Sequence, residues 1–278
     1  MRRQNIEFGA SPHIKGKEAV LGIIVVYDKN RSSKSITRFN KFLTKNYSNF
    51  EIRIISNNDE LSGHIMGSNV CGEFSGWSEG LLPGEVDKYS IFIFANDTFE
   101  SYGRFEGDAE SKFADTVSKA NHLHNKFIVG EVCWHVDYLL AKQRQYFLIK
   151  WIRTSIFAIS SDALRDIKGV GLTKTKIDEL VKNDANKGFQ LSASLPQVVR
   201  KRIDAWLCTS KGATGWHSAG TATQRLLLLK AKCVLQEILL IRRCMDANVA
   251  VYDYKKIDSR KQLVLRCVFY IQNIILKF

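Results

Sequence analysis

No Cys-x-x-Cys pair occurs in this chain. Its six cysteines (Cys71, Cys133, Cys208, Cys233, Cys244 and Cys267) are scattered, with no flanking histidines at zinc-ligand spacing. That argues against a zinc module and a disulfide framework, and the thiols are expected to be reduced and mostly buried, as in a cytosolic protein. No run reaches the roughly 18 apolar residues of a membrane span. The opening residues, Met1 to Lys17, are polar and charged rather than a signal peptide, so a cytoplasmic location is expected. Helix-turn-helix, RNP-like and zinc-finger patterns are also missing, and the basic residues are spread along the chain rather than clustered. A sequence-specific nucleic-acid partner is therefore not expected.

What the chain does have is apolar content and positive charge. Its 278 residues, 45% of them hydrophobic, can bury a full core as one large domain or a domain with an appendage. A formal charge of +13 favours an anionic partner: nucleic acid, an acidic membrane surface or the phosphates of a substrate.

The most informative stretch is Ile91 to Phe99. An apolar run from Ser90 to Ala95 stops abruptly at Asn96-Asp97-Thr98, as a strand buried on both faces does when it delivers polar side chains to the rim of a parallel sheet. Ligands of open α/β sheets bind at that rim. Alternatively, Asn96-Asp97 only turns the chain.

Around this strand the periodicities alternate. Residues 1–18 read as a loose arm. Ala19 to Tyr27 is a β-branched strand ending at Tyr27-Asp28, and Ser32 to Tyr47 is a helix with Ser32 or Ser33 as its N-cap. Glu51 to Ser56 is a second strand ending at Asn57-Asn58-Asp59, which completes a right-handed βαβ unit. The segment from Gly67-Ser68-Asn69 through Glu73, Trp77 and Glu79 to Gly84 is glycine-rich and leads into a short helix. It suits either a phosphate-approaching loop or a surface loop pinned by Phe74 and Trp77.

Further on, Asp108 to Leu123 reads as a helix, Lys126 to Val132 and Lys150 to Ile159 as strands, and Ser160-Ser161-Asp162 as the cap of a helix ending near Ile167. Arg153 is either a boundary residue reaching to water or a partner for a phosphate or carboxylate. Helices are expected over Lys174 to Lys182, Pro196 to Leu207 and Thr223 to Asn248, with a strand at Val249 to Tyr252. Between them lies a polar loop, Thr209 to Thr223, containing Trp216 and His217. Residues 255–278 read as a basic helix that completes the core, forms a dimer face or lies on a membrane. The pair His122-x-His124 sits at a helix end without a third ligand nearby.

This ordered set resembles the nucleotide-sugar glycosyltransferases of the GT-A fold, in the manner of family 2. The resemblance rests on Ile23 to Asp28, Ser56 to Asp59, Gly67-Ser68-Asn69 with Glu73 to Gly80, and Phe94 to Asp97. It continues in Trp151 to Phe157 before a short helix, and in Glu237, Arg243 and Val249 to Tyr252. It covers roughly residues 19–254, with a helical insertion at about 170–222.

The resemblance implies a Rossmann-like, mostly parallel sheet flanked by helices, with a helical C-terminal part. The implied activity is inverting transfer of a sugar, such as the deoxyhexose of dTDP-rhamnose, to a glycan or lipid-linked acceptor in polysaccharide biosynthesis, with peripheral contact at the inner membrane face. Glu237 is the implied base, with Glu73 and Glu79 in reserve and a helix-surface ion pair as its bland alternative. Asp97 would hold ribose or a diphosphate-bound Mg²⁺ or Mn²⁺, a weak site because one carboxylate stands where many relatives have two. The donor would meet Tyr27, Asp28, Asn57, Asn58, Asn69, Asn96 and Arg153, with Lys211 and Arg225 as further cations. The acceptor would meet Trp216, His217 and Glu73.

A non-catalytic anion- or nucleotide-binding protein on a degenerate GT-A domain is the alternative. A nucleotidyltransferase fits less well, because Asp28-Lys29-Asn30-Arg31 after the first strand holds no glycine.

Overall fold

A computed structural model describes residues 19–61, 65–99, 105–137, 147–208 and 221–255. The expected N-terminal arm, the C-terminal helix, Lys211, Trp216 and His217 lie outside the described residues.

The first strand, β1 (Val20–Val26), is buried along its whole length. The helix α1 (Lys29–Asn46) follows, and its N-cap is Asp28, whose carboxylate accepts from the Asn30 amide. The expected caps Ser32 and Ser33 fall inside the helix, because Asp28 already satisfies a first-turn N–H. Phe39, Phe42 and Leu43 recur at helical spacing and are buried. The strand β2 (Phe50–Ser56) pairs parallel with β1, so the βαβ unit is present. A two-residue strand, β3 (Ile65–Met66), extends the sheet beside β2.

The short helix α2 (Glu73–Glu79) leads through a single 3-10 turn (Glu85–Asp87) to β4 (Ile91–Asn96), which is parallel to β1 on its other side. Then come α3 (Asp108–Leu123), β5 (Phe127–Asp137) and β6 (Phe147–Ser160). Capped by Ser160, α4 (Ser161–Asp166) precedes α5 (Lys174–Leu180), the two-residue strands β7 (Val181–Lys182) and β8 (Gln190–Leu191), and α6 (Gln197–Cys208). The long helix α7 (Gln224–Asp246), capped by Thr223, and the strand β9 (Ala250–Asp253) complete the described chain.

The main sheet has the order β3-β2-β1-β4-β6-β5-β9, and β6 alone among these strands runs antiparallel to its neighbours. The fold is thus α/β, with a mostly parallel sheet between two helical layers. Alternation along the strands sets the layers apart. Leu21, Ile23, Val25, Phe92 and Phe94 enter one core with α2 and α4 to α7. Val20, Ile24, Val26, Ile91, Ile93 and Ala95 enter the other with α1 and α3. The region expected as an insertion feeds the first of these cores, since Val170, Ile177, Phe189, Val199 and Ile203 pack with the strand residues.

Two features position the site. Chain order reverses at β1, whose successor β2 lies on one side and β4 on the other, so the carboxyl ends of β1 and β4 flank a topological switch point. Beside it β6 bulges. Gly130 of β5 is opposite Phe157 but Glu131 is opposite Arg153, so Thr154, Ser155 and Ile156 have no partner on β5. A bulge re-aims the side chains it carries, and here it turns Thr154 toward the switch-point rim.

Candidate functional site

At the rim, Asn96 and Asp97 serve the backbone first. The Asn96 amide oxygen accepts from the Thr98 amide (3.0 Å) and hydroxyl (2.6 Å), forming the turn envisaged for this residue, and its Nδ2 donates to the Thr154 carbonyl in the bulge (3.3 Å). Asp97, 2% exposed, reaches back across the switch point, where its Oδ2 accepts from the amides of Tyr27 and Asp28, each at 2.8 Å. Burial pushes its carboxyl above the usual range, against the pull of those two N–H donors. Asp97 therefore joins the end of β4 to the end of β1.

Asp97→Ala strands two part-buried amide donors and is expected to cost about 2–4 kcal/mol, from the lower part of the range of about 1–3 kcal/mol per unsatisfied group. Asp97→Asn keeps an accepting oxygen and should cost clearly less. Urea denaturation of both variants checks this, and an alanine variant as stable as the wild type would rule out the clamp.

Three other expected donor contacts also have local partners. Asp28 caps α1 and pairs with Arg31 at 2.9 Å, and the Asn30 amide followed by Arg31 holds its carboxyl below the ordinary range. Asn58 donates to the Tyr27 carbonyl at 2.8 Å and accepts from the Glu60 amide at 2.9 Å. Asn57 donates to the Gly72 carbonyl (3.1 Å) and reaches the side chain of Asn69 (3.4 Å), while its own Oδ1 is buried without a protein partner. Asn69 takes a left-handed φ of 50°, which asparagine tolerates.

Behind this rim the expected carboxylates come together. Glu73, 7% exposed in the first turn of α2, accepts from the Tyr27 hydroxyl at 3.3 Å. Thr154, 2% exposed, places its Oγ1 at 3.3 Å from Glu73 Oε1 and 2.5 Å from Glu237 Oε1. Glu237 is half-buried on α7 rather than a solvated helix-surface carboxylate. Burial raises its carboxyl and the Glu73 charge adds to this, while Thr154, Lys230 and Arg153 oppose, leaving it at about 7.

Lys230 stands two turns before Glu237 on the same face of α7. Burial lowers its ammonium, but Glu73, Cys233, Glu237 and Asp97 together outweigh that, and the net shift is upward. Arg153 pairs with Glu131 at 3.2 Å, and Lys255 meets the same carboxylate at 3.2 Å. A boundary position and an acidic partner are thus both realised for Arg153.

Gly72, at the N-cap of α2, lets these parts meet. Its φ is 58°, and a Cβ there would lie 2.4 Å from Cys233 Sγ and 3.4 Å from the Tyr27 hydroxyl. Only glycine allows α7 this close to the end of β1.

Not every candidate joins the cluster. Glu79 is exposed and binds the Ser68 amide (2.8 Å) and hydroxyl. Arg243 donates to the carbonyls of Ile167, Gly169 and Val170, tying α7 to the end of α4, while Arg225 is exposed. Thr154 and Lys230 were missing from the sequence candidates. A polar Thr154-Ser155 pair inside an apolar strand was the signal for the first; nothing distinguished Lys230 from its basic neighbours.

Among the described residues no group of three His, Cys, Asp or Glu side chains could hold a metal ion. Asp97 fits a protein-held Mg²⁺ or Mn²⁺ poorly, because its Oδ2 already takes two N–H bonds and, among the described residues, its carboxylate belongs to no group of three such side chains. No helix of the described residues is long and apolar enough to cross a membrane. Comparison of the chain with known protein families, curated proteins and solved structures finds no match.

Proposed function

We propose that this protein is an inverting GT-A-type glycosyltransferase that moves a sugar from a nucleotide diphosphate donor to a hydroxyl of a glycan or lipid-linked acceptor in polysaccharide biosynthesis. The observation that carries the reading is Glu237, a half-buried carboxyl held at about 7 beside the switch-point rim. A general base works best when its pKa lies near the operating pH, and one carboxylate suffices when the acceptor attacks opposite the departing diphosphate.

In this reading Glu237 removes the acceptor proton. Tyr27, Asn57 and Asn69 line the donor side, where the buried Oδ1 of Asn57 is one acceptor still to be satisfied. Lys230 and Arg153 oppose the charge that develops on the leaving diphosphate. A deoxyhexose donor of the dTDP-rhamnose kind and peripheral contact with an anionic membrane face belong to the same proposal, the second supported by the net charge of +13.

Thermal melting with UDP-, dTDP-, GDP- and CMP-linked sugars, each with and without Mn²⁺ or Mg²⁺, tests the donor assignment. A ligand that binds the native state alone stabilises it by RT ln(1 + [L]/Kd), about 2.7 kcal/mol at a hundredfold excess over Kd. One nucleotide should stand out and support transfer to an acceptor. A shift without transfer would favour the non-catalytic nucleotide-binding protein, and no shift with any of them would sink the donor site.

A further inference from the structure

A hydroxyl carries a single hydrogen and serves two carboxylates only by splitting one bond between them. Thr154 Oγ1 nevertheless stands at hydrogen-bonding distance from both Glu237 Oε1, at 2.5 Å, and Glu73 Oε1, at 3.3 Å. If both carboxyls were ionised, the shorter contact would draw the hydrogen to Glu237 and leave two oxygen acceptors, Thr154 Oγ1 and Glu73 Oε1, facing each other with little hydrogen between them. The 2.5 Å separation falls in the range of charge-assisted O–H···O⁻ bonds. Placing the additional hydrogen on either carboxyl satisfies all three groups.

The remaining neighbours leave this arrangement in place. The Tyr27 hydroxyl at the end of β1 donates to the other oxygen of Glu73, at 3.3 Å. Lys230 and Cys233 face the pair from α7, with Asp97 acting on Lys230 from the end of β4. Arg153 on β6 faces Glu237 with its charge shared with Glu131, and Cys133 approaches from β5. Lys230 and Arg153 offset part of the repulsion between Glu73 and Glu237, but burial and the Glu73 charge prevail and the Glu237 carboxyl stays raised.

We infer that Glu73 and Glu237 hold one proton in common through Thr154, so that Glu73 is a second acid–base partner of the reaction and Thr154 its positioning residue. The inference rests on the glycosyltransferase reading for its role in turnover, though not for its existence. In the resting pair the proton on Glu237 Oε1 passes to Thr154 Oγ1 as the hydroxyl proton moves to Glu73 Oε1. Glu237 is then a carboxylate. It takes the acceptor O–H proton while the acceptor oxygen bonds the sugar C1 and the C1–O bond to the diphosphate breaks, its electron pair leaving with the diphosphate. The pair now holds two protons and returns one to water.

The test is a pH titration of the full chain, without substrate, carrying ¹³C at the glutamate side-chain carboxyl carbons, with the resonances assigned through the backbone. A shared proton makes the Glu73 resonance follow the Glu237 resonance in one common step, since coupled groups titrate as a pair. Glu73→Gln should lower the Glu237 midpoint by about one pH unit or more, because the like charge that raised it is gone. Thr154→Ser should keep the common step and Thr154→Val should separate the two resonances. The idea is overturned if the Glu237 resonance moves without the Glu73 resonance in the wild-type protein, or if its midpoint is unchanged in Glu73→Gln. Because no substrate is present, the titration decides the shared proton whatever the nucleotide panel returns.

Discussion

Glu237→Gln is expected to reduce glycosyl transfer by about 10²–10⁴-fold, the contribution of a positioned general base, while the nucleotide-induced rise in melting temperature persists. Glutamine keeps the size of the side chain and its hydrogen bond to Thr154, so packing along α7 is retained. What is lost is the capacity to accept a proton.

On the glycosyltransferase reading the same group sets the pH dependence of transfer. Burial and the Glu73 charge raise its carboxyl to about 7, and a base works only when deprotonated. Transfer should therefore increase as pH rises through about 7, because the one-proton pair leaves Glu237 ionised for only part of the time and loss of that proton frees it fully. Rates from pH 5.5 to 8.5 check this, and a flat profile with an unimpaired glutamine variant would remove Glu237 from the chemistry.

Glu85→Gln should cause a large loss of stability, about 3 kcal/mol, the lower end of about 3–5 kcal/mol for breaking a buried ion pair, because Glu51 still meets the Arg53 guanidinium. Arg53 is 9% exposed and Glu85 4%. The guanidinium grips the carboxylate with two bonds of 2.6 and 2.8 Å and adds contacts to Glu51 and the Gly80 carbonyl. This pair fastens β2 to the turn that leads into β4. Lys29 and Glu60, two-thirds exposed at 3.8 Å, are the contrast, and Glu60→Gln should change stability by no more than about 1 kcal/mol.

The pH sign also follows from the pair. The Arg53 hydrogen bond holds the Glu85 carboxyl below its ordinary value. Its stabilisation is present above the unfolded pKa of about 4.3 and is lost as pH falls through the lower folded value. Urea titrations at pH 7 and pH 3.5 should show the gap between wild type and Glu85→Gln narrowing at the lower pH. A gap that is small at pH 7, or that widens in acid, would contradict the buried-pair account.

Much of the fold was legible because burial on both faces leaves a strong local trace. The apolar runs of β1 and β4 and the 3.6-residue recurrence in α1, α3 and α7 require no knowledge of distant neighbours. The helix at Asp108–Leu123 matches its expected bounds. Shorter elements left no comparable trace. The two-residue strands β3, β7 and β8 are too brief for any period to show, and the antiparallel direction of β6 depends on its neighbours rather than on its own residues.

The site was legible in part. Glu237, Glu73, Tyr27 and Arg153 were all candidates, and they do lie together. Their grouping and roles were not readable, because Tyr27, Glu73, Thr154 and Glu237 come from four elements spread over more than 200 positions of chain. Asn96 and Asp97 read equally well as a turn and as ligands. The bonds from the Tyr27 and Asp28 amides to Asp97 were not readable, because no local pattern encodes donors so far away in the chain.

The sequence by itself determined the layered α/β class, the polar rim where apolar strands end and the surplus of positive charge, since each is a property of nearest neighbours or of composition. Only the tertiary structure decided that Asp97 clamps β1 to β4, that the bulge in β6 sets Thr154 between two carboxyls and that Glu237 sits where burial holds its carboxyl at about 7. A carboxylate's ionisation is governed by the charges and solvent within a few ångströms of it, and folding assembles those from residues that the sequence keeps far apart.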